Sequence, residues 1–349
     1  MRSRPYLSIV VVARNDDYGG DFLARVTFFA RMLRRQAERH PDLFEVVVVN
    51  WNPLSDRPSI ADAVDWHMNA DVRIITVDRA THDSLAGGAK LPVLEFQGKN
   101  VGIKRARGDF ILETNADIVF TDELMDFIAQ RRLRDDAFYR ADRYDFRDFP
   151  GRTGPVDAAY AEIGHHVFEV LARNKRYATG FADPATRKGT QPIEGEVLSH
   201  DGTVLTHDWS HDPHMPFLRY AVHNNAAGDF ILASRAVWER MGGFWERVDT
   251  FTHLDSFIVY RARARGIVQV ILRAPMAILH MDHSRADQAS KPRTDEARVK
   301  NDTWECLRDR SKGYNAQKSW GLEHVTLPER RIARRPLGQM WERLVRRAG

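Results

Sequence analysis

The most informative stretch of the sequence is Lys99–Phe120, which reads KNVGIKRARGDFILETNADIVF. Its first part, 99–106, has the character of a helix, and Gly108 follows it as glycine often follows the end of a helix. An apolar run at 110–114 then predicts a strand, and the polar residues 115–117 come directly after it. Because open α/β sheets bind ligands at the carboxyl ends of their strands, we expect a ligand at this loop.

The residues before this stretch alternate between two patterns. Apolar, β-branched runs predict strands at 7–12, 45–49 and 72–77, and helical spacing predicts helices at 22–39 and 60–68. The strand runs lack the apolar–polar alternation of half-exposed strands, as is typical of parallel strands buried on both faces. The pattern predicts an α/β fold, with a central, mostly parallel sheet flanked by helices and joined by right-handed crossovers.

The second half of the chain is less regular at first. Residues 145–215 are rich in Gly, Pro, Asp, His and Arg, so we expect an irregular insertion there with one helix near 167–175. Regular elements return afterwards, with a strand at 230–232, a helix at 235–241, a turn at 242–244, a helix at 253–265 closed by Gly266, and a strand at 268–272.

The composition is that of an ordinary soluble globular protein, with 349 residues of which 43% are apolar and 29% charged. No apolar run approaches the roughly 20 residues that a membrane-spanning helix needs. The basic start, Met1–Arg4, leads into a short apolar segment without a small-residue cleavage site, so we expect no secretory signal. The single cysteine, Cys306, rules out a disulfide or a cysteine-based metal cluster within the chain and fits a structural thiol in the reducing cytoplasm.

The net charge is only +4, but it is distributed unevenly. The tail from Glu329 onward is rich in arginine: Arg330, Arg331, Arg334, Arg335, Arg343, Arg346 and Arg347. Such a tail can contact phosphates or an anionic membrane, with an amphipathic helix from Leu337, after Pro336. The alternatives are a solvated helix without a partner, or a stretch that packs back on the domain. We expect a cytoplasmic protein with peripheral contact to the inner face of the membrane and no nucleic-acid partner.

Asp117 is the first candidate for chemistry. A carboxylate at the carboxyl end of a strand can hold Mg²⁺ or Mn²⁺ where the ion bridges two phosphates. The alternative is a turn, or a helix N-cap ahead of Glu123.

Several motifs around Asp117 follow one another in a characteristic order. They are Asn-x-Gly-Ile at 100–103, Ala-x-Gly at 106–108, a strand beginning Asp-Phe-Ile, and a short acidic motif at 115–117. In this order they resemble the inverting family-two glycosyltransferases, whose fold is the GT-A type. In that family an Asp-x-Asp motif binds the metal and the nucleoside diphosphate, and Asn115 here stands in place of its first Asp. The resemblance implies that Asp117 binds the metal and that Asn100, Asn115 and Asp117 contact the nucleotide sugar.

The N-terminal strands fit the same resemblance. The first strand matches the family's opening strand, whose end holds the nucleotide base, so Ala13, Arg14 and Asn15 are implied as nucleotide contacts. At the end of the second strand the family has acidic residues, whereas this chain has Asn50, whose amide can hydrogen-bond uracil or ribose. The next residue, Trp51, can stack on a ligand or pack in the core.

The segment 226–246 resembles the acceptor side of these transferases, where a strand and a Gly-Gly-Phe turn precede the catalytic acid. The resemblance implies Gly228, Asp229 and Glu246 as acceptor residues.

Asp255 is the expected catalytic base. In the family a Glu-Asp pair begins this helix and an Arg follows six residues after the Asp; Asp255 and Arg261 keep that spacing, whereas Leu254 replaces the Glu. The reaction needs one carboxylate here to deprotonate an acceptor hydroxyl. The alternative role of Asp255 is a helix N-cap.

Histidines complete the expected metal site. In many GT-A enzymes a late histidine joins the acidic motif as a metal ligand, and His280 and His283 both fit that position. Their spacing does not choose between them. A further group in the insertion, His207, His211 and His214, is expected at the surface or in an acceptor wall, with metal binding as the alternative.

Together these features predict a metal-dependent, inverting hexosyltransferase with Mn²⁺ or Mg²⁺ as cofactor. It would move a sugar from a nucleoside diphosphate sugar, a uridine one, to a saccharide or lipid-linked acceptor in polysaccharide or glycoconjugate synthesis. The catalytic domain would span 1–290, with a nucleotide-sugar half at 1–120, the insertion at 145–215, an acceptor half at 220–290, and a helical basic extension at 291–349.

Two other functions stay open. A nucleotidyltransferase also uses a sheet and metal-binding carboxylates, although it would favour a glycine-rich basic loop after the first strand, which residues 13–16 do not supply. A non-catalytic sugar-binding relative is suggested by Asn115 and Leu254, where the chain departs from the family.

Overall fold

One large sheet organises the chain. The computed structural model describes residues 4–86, 91–172, 175–178, 196–198, 204–206, 222–248, 254–284, 315 and 319–335. The strands in these ranges are β1 (Leu7–Ala13), β2 (Phe44–Trp51), β3 (Asp71–Val77), β4 (Phe110–Thr114), β5 (Ile118–Phe120), β6 (Ala137–Phe146), β7 (Val167–Ala172), β8 (Lys175–Ala178), β9 (Glu196–Leu198), β10 (Val204–Thr206), β11 (Phe230–Ser234), β12 (Val268–Met281) and β13 (Glu329–Ile332). The helices are α1 (Phe22–Arg39), α2 (Ile60–Ala63), α3 (Arg79–Ala86), α4 (Glu95–Arg105), α5 (Asp122–Ala129), α6 (Val156–Glu162), α7 (Arg235–Met241) and α8 (Leu254–Ala264).

The sheet is parallel from β3 through β2 and β1 to β4, and mixed beyond these strands. β1 pairs in parallel with β2 and β4, and β2 pairs in parallel with β3. From β4 outwards, β11 is antiparallel to both β4 and β6, whereas β12 runs parallel to β6. The predicted α/β fold, a central sheet flanked by helices, is confirmed, and its parallel part is the one formed by the strands that the sequence pattern predicted first.

Helices cover both faces of the sheet. On one face α1 packs through Val26, Phe29 and Leu33, and α5 joins the same core. On the other face α4, α7 and α8 pack, with Trp238 of α7 and Ile258 of α8 in a second core. Because both faces of β1 and β2 are buried, their sequences are mostly apolar on both faces.

Helix α4 packs directly against β1, and glycine makes this possible. A Cβ atom at Gly102 would lie 2.3 Å from Cγ1 of Val10. Gly108 serves a similar purpose and does not cap the helix as predicted: α4 ends at Arg105, and a Cβ atom at Gly108 would lie 2.6 Å from the backbone nitrogen of Ser8. The Gly-Ile and Ala-x-Gly motifs are therefore packing motifs in this fold.

Two predicted helices are wrong in extent or kind. The helix predicted at 60–68 is only α2. The backbone turns extended at Val64, and the irregular segment that follows buries Trp66 and Met68, with the indole N–H of Trp66 donating back to the carbonyl of Ile60 at 2.9 Å. The helix predicted near 167–175 is instead the hairpin of β7 and β8, which extends the sheet beside β6.

The part of the chain predicted as a helical extension contributes to the sheet. Strand β13 pairs antiparallel with β3, and Glu329 forms an ion pair with Arg73 at 2.7 Å. Two tail arginines are held by the domain, Arg330 by Asp62 and Arg334 by Asp71. The sheet thus reaches beyond the predicted boundary at residue 290.

Several predictions lie outside the described residues. They are the amphipathic helix from Leu337, the thiol of Cys306, and the group His207, His211 and His214. Of the helices that the structure describes, none combines the length and the apolar character needed to cross a membrane.

Candidate metal centre and its surroundings

Backbone pairing brings Asp117 and His280 together. Asp117 stands between β4 and β5, and β5 pairs with the end of β12 so that Ile118 lies opposite His280. The backbone N–H of Met281 donates to the carbonyl of Asp117 at 3.1 Å. The two side chains are therefore placed by the sheet itself, although they are far apart in sequence.

Asp117, His280 and His283 form a group that fits a divalent metal ion. Oδ2 of Asp117 lies 3.9 Å from Nε2 of His280 and 3.6 Å from Nε2 of His283, and the candidate ligand atoms all lie within 4.8 Å of one another. Two ligand atoms that are each about 2.1 Å from one ion lie up to about 4.2 Å apart, and both distances from Asp117 lie within that limit. The other carboxylate oxygen of Asp117, Oδ1, is buried without a hydrogen-bond partner, as expected of an oxygen that binds a cation.

The hydrogen bonds of the two imidazoles leave the required nitrogen facing Asp117. Nδ1 of His280 lies 3.0 Å from a carboxylate oxygen of Asp145, and Nδ1 of His283 lies 3.0 Å from the carbonyl of Ser284. Carboxylates and carbonyls only accept, so each Nδ1 carries a proton, and each ring in its neutral form presents the Nε2 lone pair.

The pKa values reflect these contacts. Burial disfavours the charged form of His280, but the hydrogen bond to Asp145 and the charge of Asp117 outweigh it and raise its pKa. Burial lowers the pKa of His283. Burial would raise the pKa of Asp145, yet its contacts with His280 and Arg143 bring it below the usual range.

Arg25 is a neighbour that sequence reasoning missed. Its guanidinium is fully buried, with Nε 3.7 Å from Oδ2 of Asp117, and it donates to Asp21 at 2.8 Å and to the carbonyl of Tyr18 at 2.5 Å. The signal was present in the sequence, because Arg25 lies beside Val26 on the apolar face of α1. A buried charge on such a face needs a partner, and here it offsets the carboxylate of Asp117.

The expected base is placed beside an expected acceptor residue. The backbone N–H of Gly228, in a 3₁₀ turn at Ala227–Asp229, donates to Oδ2 of Asp255 at 3.1 Å. The ammonium of Lys99 donates to the carbonyl of Gly228 at 2.7 Å and pairs with the buried Glu113 at 2.6 Å. Lys99 and Asp255 thus bind the backbone C=O and the backbone N–H of the same residue, Gly228.

Asp229 and Asn115 are also brought together. Asn115 donates to Oδ1 of Asp229 at 2.7 Å, and Arg143 donates to Oδ2 at 2.6 Å. Burial alone would raise the pKa of Asp229, but the charge of Arg143 holds it at about 2. Asp229 is therefore a fixed, ionised carboxylate.

Asn100 and Glu246 tie the Gly-Gly-Phe turn to α4. Nδ2 of Asn100 donates to the carbonyl of Phe244 at 2.8 Å and to Oε1 of Glu246 at 2.9 Å, and its Oδ1 accepts from the backbone N–H of Phe244 at 2.8 Å. The same Glu246 oxygen accepts from the backbone N–H of Gly321 at 2.7 Å. In this structure both residues hold the turn and the C-terminal segment in place, and Asn100 is completely buried.

The residues predicted to contact the nucleotide form a second group at the carboxyl ends of β1 and β2. Ala13 lies opposite Asn50 in the sheet, and Oδ1 of Asn50 is buried without a hydrogen-bond partner. Arg14 donates to the carbonyl of Asn52 at 2.7 Å, and Asn15 donates to that of Pro58 at 2.9 Å.

Of the two roles open to Trp51, the structure supports packing. Its side chain is fully buried, and the indole N–H donates to Nδ1 of His82 at 3.0 Å.

No protein-family model and no curated protein matches the chain. Among solved structures it is similar to the mannosyltransferase PcManGT from Pyrobaculum calidifontis in complex with GDP-Man and Mn²⁺, at 14% identity and a TM-score of 0.42, over 82% of this chain and 60% of that one. It is also similar to GalNAc-T7 with UDP, GalNAc and Mn²⁺, at 12% identity and a TM-score of 0.44, over 82% of this chain and 45% of that one. A third similar structure is S. aureus TarS 1-349, at 12% identity and a TM-score of 0.41, over 79% of this chain and 60% of that one. The chain thus spans no more than 60% of the length of these similar structures.

Proposed function

We propose that the chain is a metal-dependent glycosyltransferase of the GT-A type, which moves a sugar from a nucleoside diphosphate sugar to a hydroxyl acceptor. The observation that carries the proposal is the convergence of Asp117, His280 and His283 at the carboxyl end of β4. Open α/β sheets bind ligands at this edge. The Asn-x-Gly-Ile motif in α4 and the Ala-x-Gly motif that follows the helix pack α4 against β1, and their resemblance to motifs of GT-A transferases supports the same assignment.

The metal centre would serve the leaving group. A divalent ion held there would neutralise the charge that develops on a departing nucleoside diphosphate. Carboxylate suits Mg²⁺ and Mn²⁺, whereas imidazole suits transition-metal ions, so this ligand set favours Mn²⁺ over Mg²⁺. Arg25, next to Asp117, adds a positive charge on the same side.

Asp255 would act as the base. It lies in the first turn of α8. The N–H of Gly228 orients Oδ2, so the proton of the acceptor hydroxyl would go to Oδ1. One base and one displacement invert the anomeric centre, which is why we propose an inverting enzyme.

The nucleotide would lie along the carboxyl ends of β1 and β2. The buried carbonyl oxygen of Asn50 can accept the imide N–H of uracil, which supports a uridine nucleotide. Ala13, Arg14 and Asn15 would line the same edge. We propose a saccharide or lipid-linked acceptor, with the arginine-rich tail as the route to a membrane-bound one.

A non-catalytic sugar-binding protein is the second candidate, because two of the family's usual carboxylates are missing. Leu254 is buried in the apolar core beneath α4, α7 and α8, and the side-chain amide of Asn115 donates to Asp229. A binding protein would bind the nucleotide sugar but would not transfer its sugar.

A thermal-shift screen with UDP, GDP and their sugars, with and without MnCl₂, tests both candidates. A ligand of the folded state raises stability by about 2.7 kcal/mol at a hundred times its Kd. We expect one nucleotide to raise the Tm only with Mn²⁺, and Asp117→Ala to abolish this shift. Release of UDP or GDP from the matching nucleotide sugar then identifies an enzyme, whereas binding without release identifies a binding protein. No shift with any nucleotide would contradict both.

A further inference from the structure

Strand β6 places two charged side chains between the metal centre and Asp229. Arg143 and Asp145 are 7% and 1% exposed, and residues two apart on a strand point to the same face. Neither has a role in the proposed reaction. Buried charges are costly unless they are paired, so their positions call for an explanation.

Asp145 is bonded to one of the candidate metal ligands. Strands β6 and β12 pair in parallel with His280 directly opposite Asp145, and the Nδ1–H of His280 donates to Oδ1 of Asp145 at 3.0 Å. A carboxylate on the far nitrogen of a ligating histidine fixes the tautomer and the direction of the ring. Here it turns Nε2 of His280 towards Asp117.

Arg143 continues the connection to the acceptor side. It donates to Oδ2 of Asp145 at 2.9 Å and to Oδ2 of Asp229 at 2.6 Å. The second oxygen of Asp229 accepts from Asn115, which stands two residues before Asp117 in the same loop. These contacts, together with the backbone from Asn115 to Asp117, close into a ring that runs Asp117, Asn115, Asp229, Arg143, Asp145, His280 and back to Asp117.

We propose that Asp145 and Arg143 are positioning residues of the metal centre, and that this ring couples metal binding to the position of Asp229. Because Gly228 precedes Asp229 and bonds to Asp255, a metal that orders the ring also orders the peptide beside the base. The inference rests on the proposed metal centre but not on sugar transfer.

Titration of the full chain with MnCl₂ in a calorimeter tests the first part. Asp145→Asn removes the charge that holds His280 and should weaken Mn²⁺ binding roughly 10- to 100-fold, the range for partners of metal-ligating histidines. The matched control is Asp142→Asn on the same strand, three residues away and so on its opposite face, which removes the charge from an equivalent buried contact with His223 at 3.0 Å. The control should bind Mn²⁺ like the wild type. Wild-type affinity in Asp145→Asn, or equal losses in both variants, would overturn the proposal.

The coupling is tested by Asp229→Asn and by the double variant with Asp145→Asn. We expect Asp229→Asn to weaken Mn²⁺ binding although it leaves the His280 contact intact, and the double variant to lose less than the product of the two single losses, since residues in one network are not additive. Independent losses would overturn the coupling. If Asp145→Asn does not fold, Asp229→Asn decides alone, and an unchanged Mn²⁺ affinity overturns the proposal.

The outcomes separate this inference from the proposed function. A wild-type chain that binds Mn²⁺ through the ring but transfers no sugar contradicts the function and leaves the inference standing. A chain that transfers sugar while Asp145→Asn binds Mn²⁺ normally contradicts the inference alone. A wild-type chain that binds no Mn²⁺ overturns the inference as well.

Discussion

His280 and His283 reach Asp117 from different kinds of structure. His280 belongs to β12, is buried, and is bonded to Asp145, whereas His283 follows the strand in a loop. A ligand that is already oriented loses less freedom on binding, so it contributes more to metal affinity.

We therefore predict unequal effects of removing the two imidazoles. His280→Ala should weaken Mn²⁺ binding by more than about 100-fold, beyond the range for residues that only orient a ligand. His283→Ala should have a smaller effect, and Asp117→Ala should abolish binding. Calorimetric titration with MnCl₂ measures all three, with the surface variant His324→Ala as a control. If both histidine variants lose only little Mn²⁺ affinity, neither histidine is a metal ligand.

Asp255 can be tested without disturbing its surroundings. Asp255→Asn keeps an oxygen that accepts from the N–H of Gly228 but cannot take a proton. We predict a loss of turnover of roughly 10²- to 10⁴-fold, the usual contribution of a general base, with donor binding and Tm unchanged. The rate of sugar transfer is the measurement, and a rate near that of the wild type would leave Asp255 a structural role only.

The neighbouring carboxylates are poor substitutes for Asp255. Both oxygens of Asp229 accept strong hydrogen bonds, and its pKa of about 2 makes it a weak base. Glu246 is engaged by Asn100 and Gly321, although burial raises its pKa. This geometry makes Asp255 the best-placed base of the three.

At the scale of elements, the contact of α4 with β1 depends on a glycine of a sequence motif, Gly102. Gly102→Ala brings two opposing effects, because alanine favours a helix by about 1 kcal/mol over glycine, whereas its Cβ would lie 2.3 Å from a methyl of the stiff Val10 side chain. Overpacking of this kind costs about 1–3 kcal/mol, so we predict net destabilisation in urea unfolding. The double variant Val10→Ala/Gly102→Ala should be more stable than the two single effects predict; simple additivity would show that the clash does not limit stability.

At the scale of the whole molecule, β13 ties the C-terminal segment to the first half of the sheet. The hydrogen bond and charge of Arg73 outweigh burial and lower the pKa of Glu329 to about 2. A carboxylate whose pKa is depressed on folding stabilises the folded state above its unfolded pKa of about 4.3, and this contribution disappears as the pH falls towards the folded value.

Glu329→Gln should therefore lower the Tm at pH 5–7, and the gap to the wild type should narrow from about pH 4.3 downwards. Thermal unfolding of both proteins between pH 7 and pH 3 provides the measurement. A gap that does not change with pH would mean that the ion pair with Arg73 does not anchor this strand.

The sequence by itself determined the elements whose signal is local. Helices α1 and α7 and strand β4 have the predicted bounds, because apolar spacing and flanking glycines act within a few residues. The polar loop with Asp117 was predictable for the same reason. The choice of His280 and His283 as its partners came instead from the resemblance to a family.

Only the tertiary structure decided which charges meet. β6 was not predicted, because Arg140, Asp142, Arg143 and Asp145 hide its strand character in the sequence, although every residue of the strand is buried. Likewise the hairpin of β7 and β8 exists because β6 offers it a free edge, a condition that no local pattern records. The ring around the metal centre joins residues from the β4–β5 loop, β6, β12 and the turn before β11. Long-range pairing of the strands sets those distances, so chain order alone could indicate the ligands but not the network that orients them.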